Sequence, residues 1–232
     1  MRLLIHAFLL LMLPFCAVAQ AKPISFSDAL KPHLNKYNLQ CDLEFDRGNT
    51  ERGKVLFDSL VQNFLIGSRF DNYSFRKVGG GKTRLAKIKK PVFLVTYASW
   101  CVLSKGEIPA LNKLSRKYGK QLQIVVLFWD KKENVRRIAR KFGGSIKVCY
   151  ANEAYRSDAK VVATLKHTLG FPTVYCLDGD LNVVDIQRGT SVAAAATYRE
   201  SFAENFSVFN QQLSDFLVKK DLVREQLVIS EE

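Results

Sequence analysis

Two predominantly apolar runs, rich in β-branched and aromatic residues, constrain the fold of this chain more than any other feature. They are Val92–Tyr97 and Leu122–Trp129, and such runs are typical of strands that are buried on both faces. The first run is followed by apolar residues at helical spacing: Ile108, Leu111, Leu114 and Tyr118. Because buried strands that alternate with helices belong to α/β proteins, the sequence predicts a sheet with parallel strands.

The rest of this region predicts how the sheet is completed. A third, shorter strand is expected over Ile146–Tyr150. A hairpin is expected after it, with strands over Thr173–Leu177 and Val183–Gln187 and a turn at Asp178-Gly179-Asp180. The last long helix has an apolar stripe: Phe202, Phe206, Phe209, Leu213 and Phe216. The predicted fold class is α/β, with a central mixed sheet of four or five strands flanked by helices on both faces.

The N-terminus has the features of an export signal. Arg2 is the only charged residue before Gln20, Leu3–Leu13 is apolar apart from His6, and Ala17-Val18-Ala19 offers a signal-peptidase site. We therefore expect residues 1–19 to be a signal peptide and the protein to be periplasmic or secreted. An uncleaved membrane anchor is the alternative, which the short apolar core disfavours.

The segment between the leader and the first buried strand has weaker patterns. Helical patches cover Ser27–Leu39 and Val55–Phe64. Two short alternating stretches, Ser74–Val78 and Thr83–Leu85, then flank three consecutive glycines and predict a hairpin.

Positive charge is abundant, since 35 Lys and Arg against 22 Asp and Glu give a formal net charge of +13. It is densest over Lys82–Lys90 and Lys131–Lys147. The second cluster lies on the polar side of a predicted helix whose apolar side includes Val135 and Phe142, so a solvated basic face is the favoured interpretation. We expect no nucleic-acid partner, because that would need exposed aromatic residues among the cations. A weak, salt-sensitive attraction to anionic surfaces stays open.

Chemistry concentrates directly after the first predicted strand, in Ser99-Trp100-Cys101-Val102-Leu103-Ser104. Cys101 is expected at the beginning of the following helix, where unpaired N–H groups and the positive end of the helix dipole favour thiolate over thiol. The thiolate is the nucleophile of disulfide exchange. Cys101 is therefore the candidate nucleophile.

A second motif, Gly170-Phe171-Pro172-Thr173, stands immediately before the predicted closing hairpin. Together with Trp100-Cys101 and the downstream Glu107 and Pro109, it resembles the thioredoxin superfamily, most closely the exported TlpA-like thioredoxins related to the peroxiredoxin and cytochrome-maturation branch. The resemblance covers about residues 63–217.

The resemblance implies a role for each motif residue. Pro172 would follow a cis peptide bond and face Cys101, and the neighbouring backbone would pair with a substrate strand. Glu107 would lie behind Cys101 and influence its proton transfer. The candidate catalytic residues are thus Cys101, Ser104, Pro172 and Glu107, and the candidate substrate-binding residues are Trp100, Phe171 and Thr173.

The sequence departs from the family at Ser104, where thioredoxins have a second cysteine. In a dithiol enzyme that second thiolate releases the substrate from the mixed disulfide; a serine hydroxyl cannot, although it can hydrogen-bond the Cys101 thiolate. Cys149 and Cys176 lie in strand patterns and are expected in the core. Cys41 is the more plausible resolving partner, and structural disulfides among the four cysteines are the alternative.

Other chemistries have less support. A peroxiredoxin would have proline and threonine where Leu94 and Ala98 stand, and a copper-binding relative would need a second cysteine near Cys101. His33 and His167 are expected to be solvated rather than metal ligands. We therefore expect neither a metal nor a cofactor.

The sequence predicts an exported, single-cysteine thiol-disulfide oxidoreductase. Cys101 would form mixed disulfides with protein or small-thiol substrates, in exchange of the isomerase or deglutathionylation type. The alternative is a non-catalytic binding module that keeps the groove beside Pro172. The predicted organisation is a signal peptide (1–19), an N-terminal extension (20–62), a thioredoxin-like domain (63–220) and a C-terminal tail (221–232); the sequence does not determine the oligomeric state.

Overall fold

A computed structural model describes residues 23–101, 103–189 and 196–229, without the side chains of 222–229. The predicted signal peptide lies outside the described residues. Within the described part of the chain, no helix is both long and apolar enough to cross a membrane.

A mixed sheet forms the centre of the protein, and seven strands belong to it among the described residues. In chain order they are β1 (Ser74–Lys77), β2 (Lys82–Arg84), β3 (Val92–Tyr97), β4 (Gln123–Phe128), β5 (Lys147–Tyr150), β6 (Thr173–Leu177) and β7 (Val183–Arg188). Their order across the sheet is β2-β1-β5-β4-β3-β6-β7, with β3, β4 and β5 parallel and the other pairs antiparallel. The predicted fold class is confirmed. The predicted number of strands, four or five, was too low, because the β1–β2 hairpin pairs with β5 and extends the sheet.

Helices cover both faces of the sheet, as predicted. In chain order they are α1 (Phe26–Asp46), α2 (Thr50–Leu60), α3 (Glu107–Tyr118), α4 (Lys132–Ala139), α5 (Ala159–Val161), α6 (His167–Leu169) and α7 (Tyr198–Ile229). A π-helical turn, Val61–Leu65, continues α2, and another, Val162–Lys166, joins α5 to α6. Residues of α1, α2, α5 and α6 share one core, and residues of α3, α4 and α7 share the core on the opposite face.

The predicted N-terminal extension packs as a layer of the same body. Phe26 and Leu30 of α1 and Phe57 of α2 are buried in one cluster with Leu94 and Leu177 of the sheet. Fully burying one such side chain contributes about 1.5–3 kcal/mol. The two helices therefore cover apolar sheet surface that would otherwise face water.

The register brings two loops together at one edge of the sheet. β3 runs antiparallel to β6 with Thr96 opposite Thr173, and parallel to β4 with Tyr97 opposite Phe128. The loop that follows β3 and the loop that precedes β6 therefore leave the sheet side by side. These loops contain Cys101 and Pro172.

In its N-terminal half the last helix buries other residues than the predicted apolar stripe, although Phe206 packs partly against the core. The stripe buried along α7 is Ser201, Asn205, Phe209, Leu213 and Phe216. Phe202 and Phe206 are half-buried and stack on each other with ring centroids 5.9 Å apart, with the Lys113 ammonium 4.8 Å from the Phe206 centroid. The polar pair Ser201 and Asn205 occupies the inward positions because it bonds to the loop after β3.

Candidate active site

Cys101 lies in an irregular turn and not at the start of a helix, so that prediction is wrong. The turn contains hydrogen bonds from Cys101 N–H to the Ala98 carbonyl (3.0 Å) and from Leu103 N–H to the Cys101 carbonyl (2.9 Å). Helix α3 begins only at Glu107. Just before it, Ser104 bonds to the side chains of Glu107 and Asn205, and Gly106 bonds to that of Ser201. The helix-dipole argument therefore applies to Glu107 rather than to Cys101.

A buried carboxylate fixes the beginning of this loop. Asp130 follows β4, and its oxygens accept hydrogen bonds from the Ser99 hydroxyl (2.7 Å) and the Ser99 backbone N–H. Asp130 was not predicted from the sequence. Its position directly after a strand parallel to β3 was an available signal, since the carboxyl ends of parallel strands meet at one edge of the sheet.

The beginning of α7 holds the other end of the loop. The Asn205 side-chain amide donates to the Ser104 hydroxyl oxygen (2.7 Å), and the Gly106 N–H donates to the Ser201 hydroxyl oxygen (2.9 Å). Because Ser104 accepts from Asn205, its own hydroxyl proton is available to another acceptor. Ser201 and Asn205 were not predicted from the sequence, because the buried face of the last helix was predicted from the spacing of its phenylalanines.

Glu107 is buried behind the loop. One carboxylate oxygen accepts from the Tyr97 hydroxyl (2.6 Å) and the other from the Ser104 N–H (3.2 Å). Burial raises the pKa of the Glu107 carboxyl, and these two hydrogen bonds oppose that rise. Burial also raises the pKa of Tyr97 well above its usual range, with smaller contributions from Glu107 and Cys101. The Tyr97 hydroxyl is thus within electrostatic reach of both groups.

The peptide bond between Phe171 and Pro172 is cis, as the resemblance implied. The Pro172 carbonyl accepts from the Gly189 N–H (2.9 Å), which ties this loop to the end of β7. Among the described residues, no group pairs with the backbone N–H or carbonyl of Phe171. Contact between Pro172 and Cys101 stays a prediction.

The predicted substrate-binding residues fall into two classes. Trp100 is 72% exposed and meets Phe171 edge-to-face, with ring centroids 5.5 Å apart, so the two loops are in contact. Thr173 is fully buried, and its backbone N–H and carbonyl both bond to the Thr96 hydroxyl (3.1 Å each). The expectation that Thr173 contacts substrate is therefore corrected: its polar groups are used to hold β6 against β3.

The other cysteines differ from Cys101. Cys149 and Cys176 are fully buried, which confirms their prediction as core residues, and burial raises the pKa of Cys149 to about 11 and that of Cys176 well above its usual range. Cys41 is half-buried on α1, in a cavity of about 520 Å³ that Gly170 and Arg188 also line. All four cysteines after the leader are free, so the structure does not contain the structural disulfides of the alternative interpretation.

The two histidines after the leader, His33 and His167, contact a phenylalanine and a glutamate. His33 stacks on Phe64 with ring centroids 3.6 Å apart, and His167 Nε2 lies 3.5 Å from a Glu153 oxygen. Within residues 23–101, 103–189 and 196–229, no three His, Cys, Asp or Glu side chains are grouped so that they could hold a metal ion.

Comparison with known proteins gives one sequence relative and several structural ones. No family model matches the chain. Thioredoxin-like protein YneN of Bacillus subtilis (strain 168) is 27% identical over 125 residues, which are 53% of this chain and 72% of YneN. A protein assigned as thiol:disulfide interchange protein DsbE from Chlorobium tepidum superimposes with a TM-score of 0.48 at 19% identity, over 65% of this chain and 97% of its own.

The exposed lipoprotein thioredoxin Etrx1 of Streptococcus pneumoniae strain TIGR4 superimposes with a TM-score of 0.42 at 15% identity, over 58% of this chain and 97% of its own. The mixed sheet, the cysteine loop after β3 and the cis-proline before β6 carry this resemblance, together with the similarity to YneN. The fold is thioredoxin-like, and the chain resembles the TlpA-like branch of the thioredoxin superfamily.

Proposed function

We propose that the chain is an exported thiol-disulfide oxidoreductase that acts through one nucleophilic cysteine, Cys101. The observation that carries this proposal is the position of Cys101: this partly exposed residue lies in the loop after β3, whose Trp100 touches the cis-proline loop. Buried thiols such as Cys149 cannot reach a protein substrate. The leader pattern before Gln20 supports export.

The proposed reaction is an exchange without net oxidation of the protein. The Cys101 thiolate attacks one sulfur of a substrate disulfide, so that a mixed disulfide forms, the old S–S bond breaks and the other sulfur leaves as a thiolate. An external thiol, or a second cysteine of the substrate, then attacks the mixed disulfide and releases Cys101 as a thiolate. Because Ser104 cannot make that second attack, isomerisation and deglutathionylation are favoured over dithiol reduction.

Substrate binding is assigned to the two loops that meet at this edge. The backbone N–H and carbonyl of Phe171 are free among the described residues and can pair with an extended substrate segment. The rings of Trp100 and Phe171 offer an apolar surface beside it. Pro172 holds this backbone in place through its carbonyl bond to Gly189.

Ser104 is assigned the stabilisation of the thiolate. Its oxygen accepts from Asn205, so its proton can be donated to the Cys101 sulfur or to the sulfur that leaves. Glu107 lies one hydrogen bond behind Ser104 and is assigned the proton exchange of the site. Its raised carboxyl pKa supports this assignment, since proton carriers work best when their pKa approaches the ambient pH.

A binding module without turnover is the second candidate, and Ser104 favours it because the resolving thiol of the family is missing. The two candidates differ in covalent chemistry. Mixing the protein with an excess of glutathione disulfide at neutral pH should attach glutathione to Cys101, as detected by peptide mass spectrometry. A matched Cys41→Ser variant should react as the wild type does, whereas Cys101→Ser should form no adduct at this site.

Ser104→Cys should then create a resolving thiol and raise the reduction of insulin disulfides above that of the wild type. If Cys101 forms no adduct and Ser104→Cys gains no activity, the binding module replaces the enzyme as the function of this site.

A further inference from the structure

Two adjoining grooves at the β1–β2 edge of the sheet are lined by cations and by no carboxylate. The first has a volume of about 510 Å³ and is lined by Lys77, Lys82, Arg84, Lys87 and Lys147, with Thr83 and Ile88. The second, of about 590 Å³, shares Lys77 and Lys147 and adds Arg136 and Arg140. Together these seven cations form what we call the cationic groove.

The fold creates this concentration of charge from two distant segments. The β1–β2 hairpin and the turn after it contribute Lys77 and three cations of the first basic cluster, and the region from α4 to β5 contributes those of the second. Antiparallel pairing of β1 with β5, with Lys77 opposite Cys149, brings the two clusters together. The sequence favours a solvated helix face for the second cluster alone. That interpretation does not explain why the two basic clusters meet on one surface.

The cationic groove has no internal counter-charge in the part of the chain that the structure describes. None of its seven cations is within ion-pair distance of a carboxylate there, although the neighbouring Arg76 pairs with Asp158. Like charges that converge without counter-charges repel each other and raise the free energy of the folded state. A bound anion would offset that repulsion.

We propose that the cationic groove binds a soluble, multivalent phosphate. Arginine and lysine side chains are the usual ligands of phosphate oxygens. No exposed aromatic ring lines the groove, so it lacks a platform for nucleobases. Ile88 is the only apolar residue that lines the first groove, whereas the second is also lined by Val78, Ala139, Phe142, Ile146 and Val148; the feature common to both grooves is their cations.

Inorganic tripolyphosphate is the probe for the test, with sodium chloride at matched ionic strength as the blank. Tripolyphosphate should raise the Tm of the wild type and bind measurably by calorimetry, since a ligand that binds the folded state stabilises it. The triple variant Lys82→Glu, Lys87→Glu and Arg140→Glu should lose at least about tenfold in affinity. Without the probe its Tm should not fall, because the substitutions relieve repulsion.

A matched triple variant separates a site from the effect of net charge. Lys31→Glu, Lys36→Glu and Arg52→Glu change the charge equally on exposed positions of α1 and α2, outside the groove, and should keep the wild-type affinity. Should the groove triple fail to fold, Lys82→Gln with Arg140→Gln replaces it. Equal losses in both triples, no binding by the wild type, or tighter binding to duplex DNA or to anionic phosphatidylglycerol vesicles than to tripolyphosphate would overturn the proposal.

Discussion

Asn205 determines which way the hydroxyl of Ser104 can donate, and this can be tested with a double-mutant cycle. Asn205→Leu removes the amide that donates to Ser104, so the serine proton is no longer directed away from α7. A hydrogen bond to a charged group contributes about 1.5–3 kcal/mol, so Cys101 should alkylate roughly tenfold more slowly at neutral pH.

The same cycle needs Ser104→Ala, which should slow alkylation by a similar factor. The double variant should lose no more than either single variant, since both act through one hydrogen bond. If the two decreases in alkylation rate multiply in the double variant, Asn205 acts only by holding α7 in place.

Glu107 predicts a pH dependence of stability. Because burial raises its carboxyl pKa, the folded protein holds this proton more tightly than the unfolded chain does. The contribution of Glu107 to stability therefore falls as pH rises from the unfolded pKa through the raised folded pKa. In urea titrations, the free energy of unfolding of Glu107→Gln relative to the wild type should increase from about pH 4 to about pH 8. If the difference in unfolding free energy between Glu107→Gln and the wild type stays constant or decreases over this pH range, the pKa of the Glu107 carboxyl is not raised.

Among the secondary-structure elements, the contact between the candidate active-site loop and α7 depends on one glycine. A Cβ on Gly106 would lie 2.1 Å from the Phe202 backbone nitrogen, and backbone cannot rotate away. Gly106→Ala should therefore displace the start of α7, with its Ser201 and Asn205, and destabilise the protein by about 1–3 kcal/mol. Gly53→Ala on α2 is the matched control, since a Cβ on Gly53 would have no neighbour within 4 Å. Unfolding midpoints in urea that fall equally in both variants would refute this close approach.

The sequence predicts elements better than the contacts between them. Continuous apolar runs identified β3 and β4, and the glycine-rich turn identified the β1–β2 hairpin, because these signals are local. The start of α3 was placed too early, since Ser104 and Gly106 are held by α7, about a hundred residues away in the sequence. Cys101 and Pro172 were found from motifs. Asp130 had only its position after β4 as a signal, and Asn205 acts through a tertiary hydrogen bond that leaves no local pattern.

Across the protein as a whole, the candidate active-site loops are supported on one face by the N-terminal helices. Arg188, next to the glycine that holds Pro172, donates to the Tyr37 hydroxyl of α1 (3.1 Å) and lies over the Phe57 ring of α2 at 4.5 Å. The N-terminal layer therefore contacts the strand end that positions the cis-proline loop. We expect this layer and the thioredoxin-like domain to unfold together.

Leu30→Ala tests that expectation, because Leu30 is only 2% exposed in the core shared by α1 and the sheet. Removing the side chain leaves a cavity and should lower the free energy of unfolding by about 2–5 kcal/mol. Leu39→Ala on the same helix is the control, since Leu39 is 62% exposed and should change stability little. Trp129 is buried in the same core and reports global unfolding by fluorescence. If the protein unfolds in one urea transition, and its midpoint falls in Leu30→Ala but not in Leu39→Ala, the N-terminal layer and the domain unfold as one cooperative body. If Leu30→Ala leaves the midpoint of the Trp129 transition unchanged, the N-terminal layer unfolds by itself.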